Sequence, residues 1–268
     1  MSIRFEQVSK SFGTKHVLKQ VSFKVERGEI LFILGRSGMG KSVTLKHIIG
    51  LLKPDSGSVF IDDQNVSQLD DLQLAKVRQK CGMVFQHPAL LDSLTVFENI
   101  AFGLRTAQYI QLIGHPLSED DIRRRVCEKL ADVNLKTEIL DCLPSDLSYG
   151  MQKRVSLART LAPEPEYLLF DEPTTGLDPI TTNAINDLIH DLSRKLQVTS
   201  LVVSHDMACA LKIADRILVL DQGKILAHAD RSTLKLSQEP LIQDFLAETL
   251  ALIPPPELDV ASIGATAP

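Results

Sequence analysis

The chain has 268 residues, of which 44% are hydrophobic and 24% charged, so it has enough apolar material for a sizeable folded core. Its formal net charge of −5, without a long run of lysine and arginine, argues against a nucleic-acid partner. A signal peptide and an apolar run of about 18 residues are both missing, so we expect any work at a membrane to pass through another subunit.

The N-terminal region predicts antiparallel strands followed by a buried strand. Ile3–Val8 and Val21–Glu26 alternate apolar and polar residues, as half-buried antiparallel strands do. Ile30–Leu34 is continuously apolar, which is typical of a strand that is buried on both faces. A glycine-rich turn comes next, then helical spacing of apolar residues over Lys41–Leu52 and another predicted strand at Ser58–Ile61.

Helical patterning dominates from about Pro88 to Pro163, with the clearest helices at Glu119–Val133 and Met151–Ala162. Further buried strands are predicted at Gly82–Phe85, Tyr167–Asp171, Thr199–Ser204 and Arg216–Leu220, with an edge strand after a turn at residues 221–224. The predicted fold class is therefore α/β, with an antiparallel β region and an inserted helical region.

The predicted domains are based on this pattern. Residues 1–87 and 164–235 form one core with the antiparallel β region, and residues 88–163 form the helical region. Residues 236–268 are predicted to be a C-terminal helix and a flexible arm, because the end of the chain is proline-bearing and weakly apolar. The four cysteines are far apart and form no CxxC pair or Cys/His cluster, which indicates reduced thiols and a cytosolic compartment.

A phosphate-binding loop is predicted between the buried strand and the first helix. Positions 35–42 read GRSGMGKS and match the pattern GxxxxGK[ST] in the strand-to-helix context that the pattern requires. Backbone amides of such a loop surround phosphate, and Lys41 and Ser42 are expected to reach the β- and γ-phosphates and Mg²⁺ respectively. The predicted ATP-binding residues of this segment are Gly35, Arg36, Ser37, Gly38, Met39, Gly40, Lys41, Ser42 and Val43.

Two acids end the predicted strand Tyr167–Asp171. A carboxylate at the C-terminal end of a parallel strand faces the ligand crevice. Asp171 is predicted to hold Mg²⁺ through water and Glu172 to be the general base for ATP hydrolysis. Taken alone, such an acidic pair is more often a helix cap, but the phosphate loop upstream favours the catalytic interpretation.

Several segments together resemble the motifs of ABC transporter ATPases, in the order of that family, over residues 1 to about 230. Leu147-Ser148-Tyr149-Gly150-Met151 resembles the signature usually written LSGGQ, and the helix after it reads KRVSLAR from Lys153. Phe85-Gln86 resembles the Q-loop, Thr175-Gly176-Leu177-Asp178-Pro179 the D-loop and Val203-Ser204-His205-Asp206 the switch histidine, while Phe12 stands where the family has an adenine-stacking aromatic.

The resemblance implies a P-loop ATPase that works as a pair with a second copy of itself. Ser148 and Gly150 would bind the γ-phosphate of ATP held by the opposite subunit. His205 would hold the attacking water, Gln86 would link Mg²⁺ and water to the helical region, and Asp178 would connect the two sites. For Phe12 the alternative is an ordinary core aromatic.

The signature departs from the family pattern at two positions, Tyr149 for glycine and Met151 for glutamine. Glycine permits close approach of the backbone to a phosphate, whereas tyrosine needs more room. Our hypothesis is that Ser148 and Gly150 keep the nucleotide contact while Tyr149 alters closure of the pair.

Within the family, the sequence is most similar to the ATPases of Mla-type (MCE-associated) phospholipid transporters. The similarity rests on the letters GKSVTLK from Gly40, on Met151, on LTVFENI from Leu94 with GLR from Gly103, and on EPLIQDFL from Glu239. It implies two ATPases with two multi-span permease subunits and an MCE protein, at the cytoplasmic face of the inner membrane. An ABC ATPase for another substrate and a regulatory ABC ATPase without transport remain as alternatives. Residues 88–105 are a candidate contact for the permease or, equally, ordinary packing of the helical region.

Overall fold

Two β-sheets and a group of helices make up residues 2–251, the part of the chain that the computed structural model describes. Residues 252–268, the end of the predicted C-terminal helix and arm, lie outside the described residues. The strands are β1 (Ile3–Phe12), β2 (Lys15–Val25), β3 (Ile30–Leu34), β4 (Ser56–Ile61), β5 (Gln64–Asn65), β6 (Cys81–Val84), β7 (Tyr167–Asp171), β8 (Thr199–Ser204), β9 (Arg216–Asp221) and β10 (Lys224–Asp230).

The helices flank these sheets and fill the region between β6 and β7. They are α1 (Lys41–Ile48), α2 (Asp71–Lys80), α3 (Val96–Ala101), α4 (Ala107–Ile113), α5 (Glu119–Asp132), α6 (Tyr149–Leu161), α7 (Pro179–Leu196), α8 (Met207–Ile213), α9 (Arg231–Lys235) and α10 (Pro240–Ala251). Within the described residues, none of these helices is both long enough and apolar enough to cross a bilayer.

One sheet is antiparallel and the other is mainly parallel. The antiparallel sheet has the strand order β2-β1-β4-β5. The second sheet has the order β10-β9-β3-β8-β7-β6, in which β10 alone of the described strands runs antiparallel to its neighbour. The C-terminal ends of β3, β6, β7 and β8 therefore meet at one edge of this sheet, and the phosphate loop, Gln86, Glu172 and His205 come shortly after these strand ends.

The parallel sheet separates two apolar cores, and this explains its continuously apolar strands. Along β3, Ile30, Phe32 and Leu34 pack into the core shared with the helical region, whereas Leu31 and Ile33 pack into the core under the antiparallel sheet. Side chains of a strand alternate between faces, so a strand between two cores must be apolar at every position. The predicted limits of β3, β7 and β8 agree with the structure for this reason.

The helical region between Pro88 and Pro163 contains α3 to α6 and, in the described structure, no strand. Caps that the sequence offers start these helices: Ser118 accepts a hydrogen bond at the start of α5, and Ser148 does so at the start of α6. Three acids in the first turn of α5 add a favourable interaction with the helix dipole. This arrangement agrees with the predicted α/β fold with an inserted helical region, while the exact domain limits stay a prediction.

Several predicted boundaries are wrong for local reasons. β1 and β2 are longer than predicted because irregular register along their pairing breaks the apolar alternation. Helix α1 ends at Ile48 rather than at residue 52, because Gly50 takes a left-handed φ of 63° and turns the chain. Helix α7 was not predicted, although Asp178 caps it and Pro179 occupies its first position, which is a usual helix start.

Stability is expected to decrease in acid partly because of His228 on β10. Its Nε2 atom is buried without a hydrogen-bond partner among the described residues, and this burial, with a smaller effect of Arg216, lowers the pKa of His228 to about 4. Between about pH 6.5 and pH 4, the unfolded chain therefore binds a proton at His228 that the folded chain does not. The contribution of neutral His228 to the free energy of unfolding is complete above about pH 6.5 and is lost as the pH falls towards 4.

The matching experiment compares the free energy of unfolding in urea at pH 7.5 and pH 5 for the wild type and for His228→Gln. We expect the free energy of unfolding to fall with decreasing pH more steeply in the wild type than in the variant. The difference is up to about 1.4 kcal/mol per pH unit, and partial exposure of the ring makes it smaller. The buried His47, whose pKa is also lowered by desolvation, keeps its contribution in both proteins. Equal slopes for the two proteins would contradict the role of His228.

Candidate functional site

The phosphate loop lies between β3 and α1, and glycine is required where neighbouring backbone comes close. A Cβ atom on Gly35 would lie 2.4 Å from the carbonyl oxygen of Leu220 on β9. A Cβ atom on Gly40, the N-cap of α1, would lie 2.9 Å from the carbonyl oxygen of Val17, and Gly40 has a φ of 99°. The glycines thus let the loop pass under β2 and β9 and present its amides at the N-terminus of α1.

Lys41 places its ammonium group inside the phosphate loop. Its Nζ atom donates to the carbonyl oxygens of Gly35 at 2.7 Å and Arg36 at 3.3 Å, and lies 3.2 Å from Oε1 of Glu172. The side chain is only 7% exposed, so this charge is held where the loop amides converge. A phosphate group bound here would take the place of the carbonyl and carboxylate oxygens as the partner of the Lys41 ammonium. This fits a lysine that binds the β- and γ-phosphates.

Ser42 and Asp171 form a pair that fits a divalent cation. Oγ of Ser42 donates to Oδ1 of Asp171 at 2.7 Å, from the first turn of α1 to the end of β7. A hydroxyl and a carboxylate oxygen at this spacing are ligands that Mg²⁺ prefers, with water completing its coordination. The residues therefore fit the predicted metal, although no separate cluster of three or more His, Cys, Asp or Glu ligands occurs in the described part of the chain.

The carboxylate of Glu172 contacts three other side chains of the site. Its Oε2 atom lies 2.8 Å from Nδ1 of His205 and 3.4 Å from Oγ1 of Thr175, while Oε1 pairs with Lys41. Its backbone has a φ of 49°, a conformation that is uncommon for residues other than glycine. The backbone N–H of Glu172 bonds to the carbonyl oxygen of Val203 on β8, so the neighbouring strand fixes this conformation. A strained backbone that directs a carboxylate into a cavity is frequent at functional sites.

A cavity of about 720 Å³ opens in front of these groups. Gln86 and His205, from the loops after β6 and β8, form part of its wall. The predicted residues that line it are Phe12, Arg36, Ser37, Gly38, Gly40, Lys41, Ser42, Val43, Gln86, Glu172 and His205. A cavity of this size falls in the range of small-molecule and cofactor sites.

Three predicted residues of the same chain are near the cavity without lining it. Gly35, the first residue of the loop, lies against the backbone of Leu220 on β9, and Asp171 reaches the cavity only through Ser42. The side chain of Met39 lies near the backbone N–H of Gln222, which donates to its sulfur at 3.3 Å. Met39 can contribute to a bound phosphate through its backbone alone.

Phe12 is half exposed, with 48% of its surface open, and lies at the end of β1 on the wall of the cavity. The alternative of a core aromatic is therefore wrong. The ammonium group of Lys10 lies 5.6 Å from the ring centroid, which leaves the other parts of the ring free to stack on a flat ligand.

Sequence reasoning missed several residues that line the cavity: Lys15, Val17, Thr175, Leu241, Asp244 and Phe245. Thr175 lies inside a motif that the sequence did identify, and Lys15 and Val17 are on β2, whose start was predicted too late. Helix α10 was predicted, but no sequence signal says that it packs beside the phosphate loop. Asp244 on α10 lies 3.6 Å from Arg36, a pair that is largely exposed and therefore weak.

Ser148, Gly150 and Asp178 do not line the cavity of their own chain. Ser148 is exposed and its side chain accepts a hydrogen bond from the backbone N–H of Met151 at 3.3 Å, as the predicted N-cap of α6. Asp178 is exposed and caps α7 through the amides of Ile180 and Thr181. The start of α6 is thus open to the outside of this chain at Ser148.

Comparison with known proteins places this site in a family. The model of the family described as ABC transporter matches residues 18–175. The methionine import ATP-binding protein MetN of Clostridioides difficile (strain 630) is 37% identical over 252 residues, which are 94% of this chain and 76% of that protein. MetN of Brucella abortus (strain 2308) is 43% identical over 223 residues, and the match spans 83% of this chain but only 58% of that longer protein.

Solved structures give the same result. The ATP-binding cassette MJ0796, in a dimeric post-hydrolysis state bound to ADP and Pi, has a TM-score of 0.76 at 34% identity, covering 85% of this chain and 98% of that chain. CbiO1 from Clostridium perfringens has a TM-score of 0.78 at 29% identity, covering 91% of this chain and 94% of that chain. This chain therefore belongs to the ABC transporter family and carries its ATP-binding, ATP-hydrolysing domain, with the α/β P-loop fold of that family.

Proposed function

We propose that this chain is the subunit that hydrolyses Mg-ATP to drive an ABC transporter, with each ATP held between two copies of the chain. The observation that carries the proposal is the position of Glu172, whose carboxylate lies between Lys41 and His205 on the wall of the nucleotide-sized cavity. A base, a cation for phosphate and a second hydrogen-bonding group thus converge at one place, as hydrolysis of a phosphoanhydride requires.

Mg²⁺ would be held by Ser42 and Asp171, with Gln86, which also lines the cavity, as a further ligand. When bound, the metal neutralises charge that develops on the phosphate oxygens. Lys41 would exchange its pair with Glu172 for the phosphates, and this exchange would leave the Glu172 carboxylate free to accept a proton from water. His205 would orient that water, because its ring already reaches the same carboxylate.

The second copy would complete the site. Ser148, the backbone of Gly150 and the exposed N-terminus of α6 present a serine hydroxyl and helix amides, which suit the γ-phosphate of a nucleotide bound to the other copy. Asp178 is exposed at the start of α7 and would lie in the contact between the copies. The dimeric state of MJ0796 with ADP and Pi supports this arrangement by similarity.

The membrane partner would be a multi-span permease, which would keep this chain at the cytoplasmic face of the membrane. Residues 88–105 contain both buried and exposed apolar side chains. Val96, Ile100 and Leu104 are buried in the helical region. Leu91 and Phe102 are 37% and 48% exposed. Both interpretations of this segment thus apply in part, since its buried side chains pack the fold and its exposed ones are open to a permease.

The substrate with the stronger support from relatives is methionine. The relatives described above carry names of methionine importers at 37–43% identity. The support concerns the ATPase part, because those proteins are longer than the match. We therefore propose import of methionine or a related small molecule as the first substrate class to test, with an ABC ATPase that serves another substrate as the general alternative.

Phospholipid transport with an MCE protein is the second candidate. It rests on Met151 in the signature, on the letters GKSVTLK that begin at Gly40, and on the segments that begin at Leu94, Gly103 and Glu239. The relatives named above give it no support. An ATPase does not contact the cargo in this scheme, so these positions are an indirect signal.

One experiment separates these candidates. The chain is purified with the multi-span membrane protein that accompanies it and placed in vesicles. Uptake of labelled methionine and movement of a labelled phospholipid are then measured with ATP and with a non-hydrolysable ATP analogue. We expect ATP-dependent transport of one cargo. Absence of a membrane partner, together with ATP-dependent binding to another protein, would instead favour a regulatory ATPase.

A further inference from the structure

Lys153 is a buried lysine on α6 whose charge has no acidic partner among the described residues. The residue is only 4% exposed to solvent. Its Nζ atom donates to two backbone carbonyl oxygens, those of Gln86 and Pro173, both at 2.8 Å. Burial lowers the pKa of Lys153 to about 8. A buried charge is costly unless it is fully hydrogen-bonded, so these two contacts need an explanation beyond packing.

The two carbonyl groups belong to the two loops that carry the reacting groups. Gln86 follows β6, and Pro173 follows Glu172 directly after β7. β6 and β7 are adjacent parallel strands with Val84 opposite Phe170, so both loops leave the same edge of the sheet. Lys153 enters between them from the helical region. One ammonium group therefore joins the loop of Gln86, the loop of Glu172 and helix α6.

Tyr149 lies one turn before Lys153 on α6 and covers this contact. Its hydroxyl group lies 3.3 Å from Nδ1 of His87, and the Lys153 ammonium lies 5.4 Å from the centre of its ring. A Cβ atom on Gly176 would lie 3.6 Å from Cε1 of Tyr149, so the ring also packs on the loop after Glu172. The tyrosine that replaces the family's glycine thus keeps water from Lys153 and touches both loops.

We propose that Lys153 is a positioning residue for ATP hydrolysis, which holds the Gln86 loop and the Glu172 loop at a fixed separation from α6, with Tyr149 as its cover. An ammonium group suits this task because it has three donors and can bond two carbonyl groups at once. The inference rests on the proposed roles of Gln86 and Glu172. It also specifies the role of Tyr149, which couples the signature segment to the catalytic loops within one chain.

The first test replaces Lys153 by methionine, which has a similar length and no donor. The matched control is Lys129→Met on α5, because Lys129 is equally buried but pairs with Asp132 and Glu164 instead of the catalytic loops. In the purified full chain, Lys153→Met is expected to lower kcat about 10- to 100-fold, as a misplaced catalytic group does, while KM for ATP changes less than about twofold. Lys129→Met is expected to keep kcat within about twofold.

The second measurement reports on the contact itself. Amide hydrogen exchange is measured over residues 85–89 and 172–176 in both variants and in Lys153→Gln, which keeps a side-chain donor. We expect faster exchange at both segments in Lys153→Met, wild-type exchange there in Lys129→Met, and a smaller increase in Lys153→Gln. The increase is measured without any turnover, so it is separate from the fate of the general-base assignment.

The inference is overturned if kcat stays within about twofold in Lys153→Met, if KM rises in parallel with the loss of kcat, or if the two segments exchange as in the wild type. If Lys153→Met does not fold, Lys153→Gln carries both measurements by the same criteria. Wild-type hydrogen exchange at the two loops in Lys153→Met would contradict the role of Lys153 but not the proposed ATPase function. Retained turnover after removal of the Glu172 carboxylate would contradict the general-base assignment but not the exchange result.

Discussion

Replacing Glu172 by glutamine is expected to abolish ATP turnover while ATP still binds. The amide keeps the shape of the side chain, but it can no longer accept a proton from water, and a general base contributes about 10²- to 10⁴-fold to a rate. The change also removes the ion pair between Glu172 and Lys41, which leaves the Lys41 ammonium free for phosphate. Phosphate release in steady state gives the rate, and a fluorescent ATP analogue gives the affinity.

The control for this experiment is Glu164→Gln, an acid between α6 and β7 that is 57% exposed and paired with Arg125 and Lys129. Its turnover is expected to stay within about twofold of the wild type, because Glu164 does not line the cavity. If Glu172→Gln hydrolysed ATP at a rate comparable with the control, Glu172 would not be the general base.

Mixed pairs of Lys41→Ala and Ser148→Ala chains are expected to bind one ATP where the wild type binds two. Lys41→Ala removes a buried ammonium from the phosphate loop, and Ser148→Ala removes the hydroxyl at the start of α6. If each site uses the loop of one chain and the serine of the other, a mixed pair has one site with both defects and one intact site. Loss of a charge-assisted contact to phosphate is expected to weaken ATP binding by about 10-fold or more at a defective site.

The measurement is the number of ATP molecules per pair, by titration of tagged chains purified as the mixed species. Pairs of Lys41→Ala alone and of Ser148→Ala alone serve as controls in which both sites are defective. One tight site in the mixed pair supports sites shared between chains. Two weakened sites, one lacking Lys41 and the other lacking Ser148, would instead mean that Lys41 and Ser148 act within the same chain.

Much of this site was readable in the sequence because its residues lie at the ends of strands. Ile30–Leu34 and Tyr167–Asp171 are almost entirely apolar, since each is buried between two cores, so the apolar run marks the limits of each strand and the start of the loop after it. Parallel strands then carry Lys41, Glu172 and His205 to one edge of one sheet. The sequence therefore predicted a convergence of residues that are far apart along the chain.

Other features depend on packing that has no local signal. Asp244 and Phe245 reach the cavity because α10 packs beside α8, and nothing in the letters of α10 specifies that neighbour. The burial of Lys153 has no signal in the sequence, since lysine is seldom fully buried. Its burial results from the packing of α6 against the loops after β6 and β7, where it bonds to the carbonyl oxygens of Gln86 and Pro173. The positive φ of Glu172 likewise comes from the hydrogen bond to Val203 on the next strand.

Recognition of the cargo is not a task of this chain in the proposed scheme. The groups that converge on the cavity suit a nucleotide, and the proposed scheme has no contact between this chain and a transported molecule. The similarity to methionine importers concerns the ATPase part of those proteins. Substrate choice must therefore be measured on the complete transporter.

The central claim is that the triphosphate is enclosed by the phosphate loop of one copy and by the Ser148 helix start of another. The most direct measurement is the mass of Glu172→Gln in solution by light scattering, without nucleotide, with ADP, and with ATP and Mg²⁺. We predict a monomer in the first two conditions and a dimer only with ATP, which Ser148→Ala in the same chain weakens. A monomer in all three conditions, even with the membrane partner present, would contradict the account.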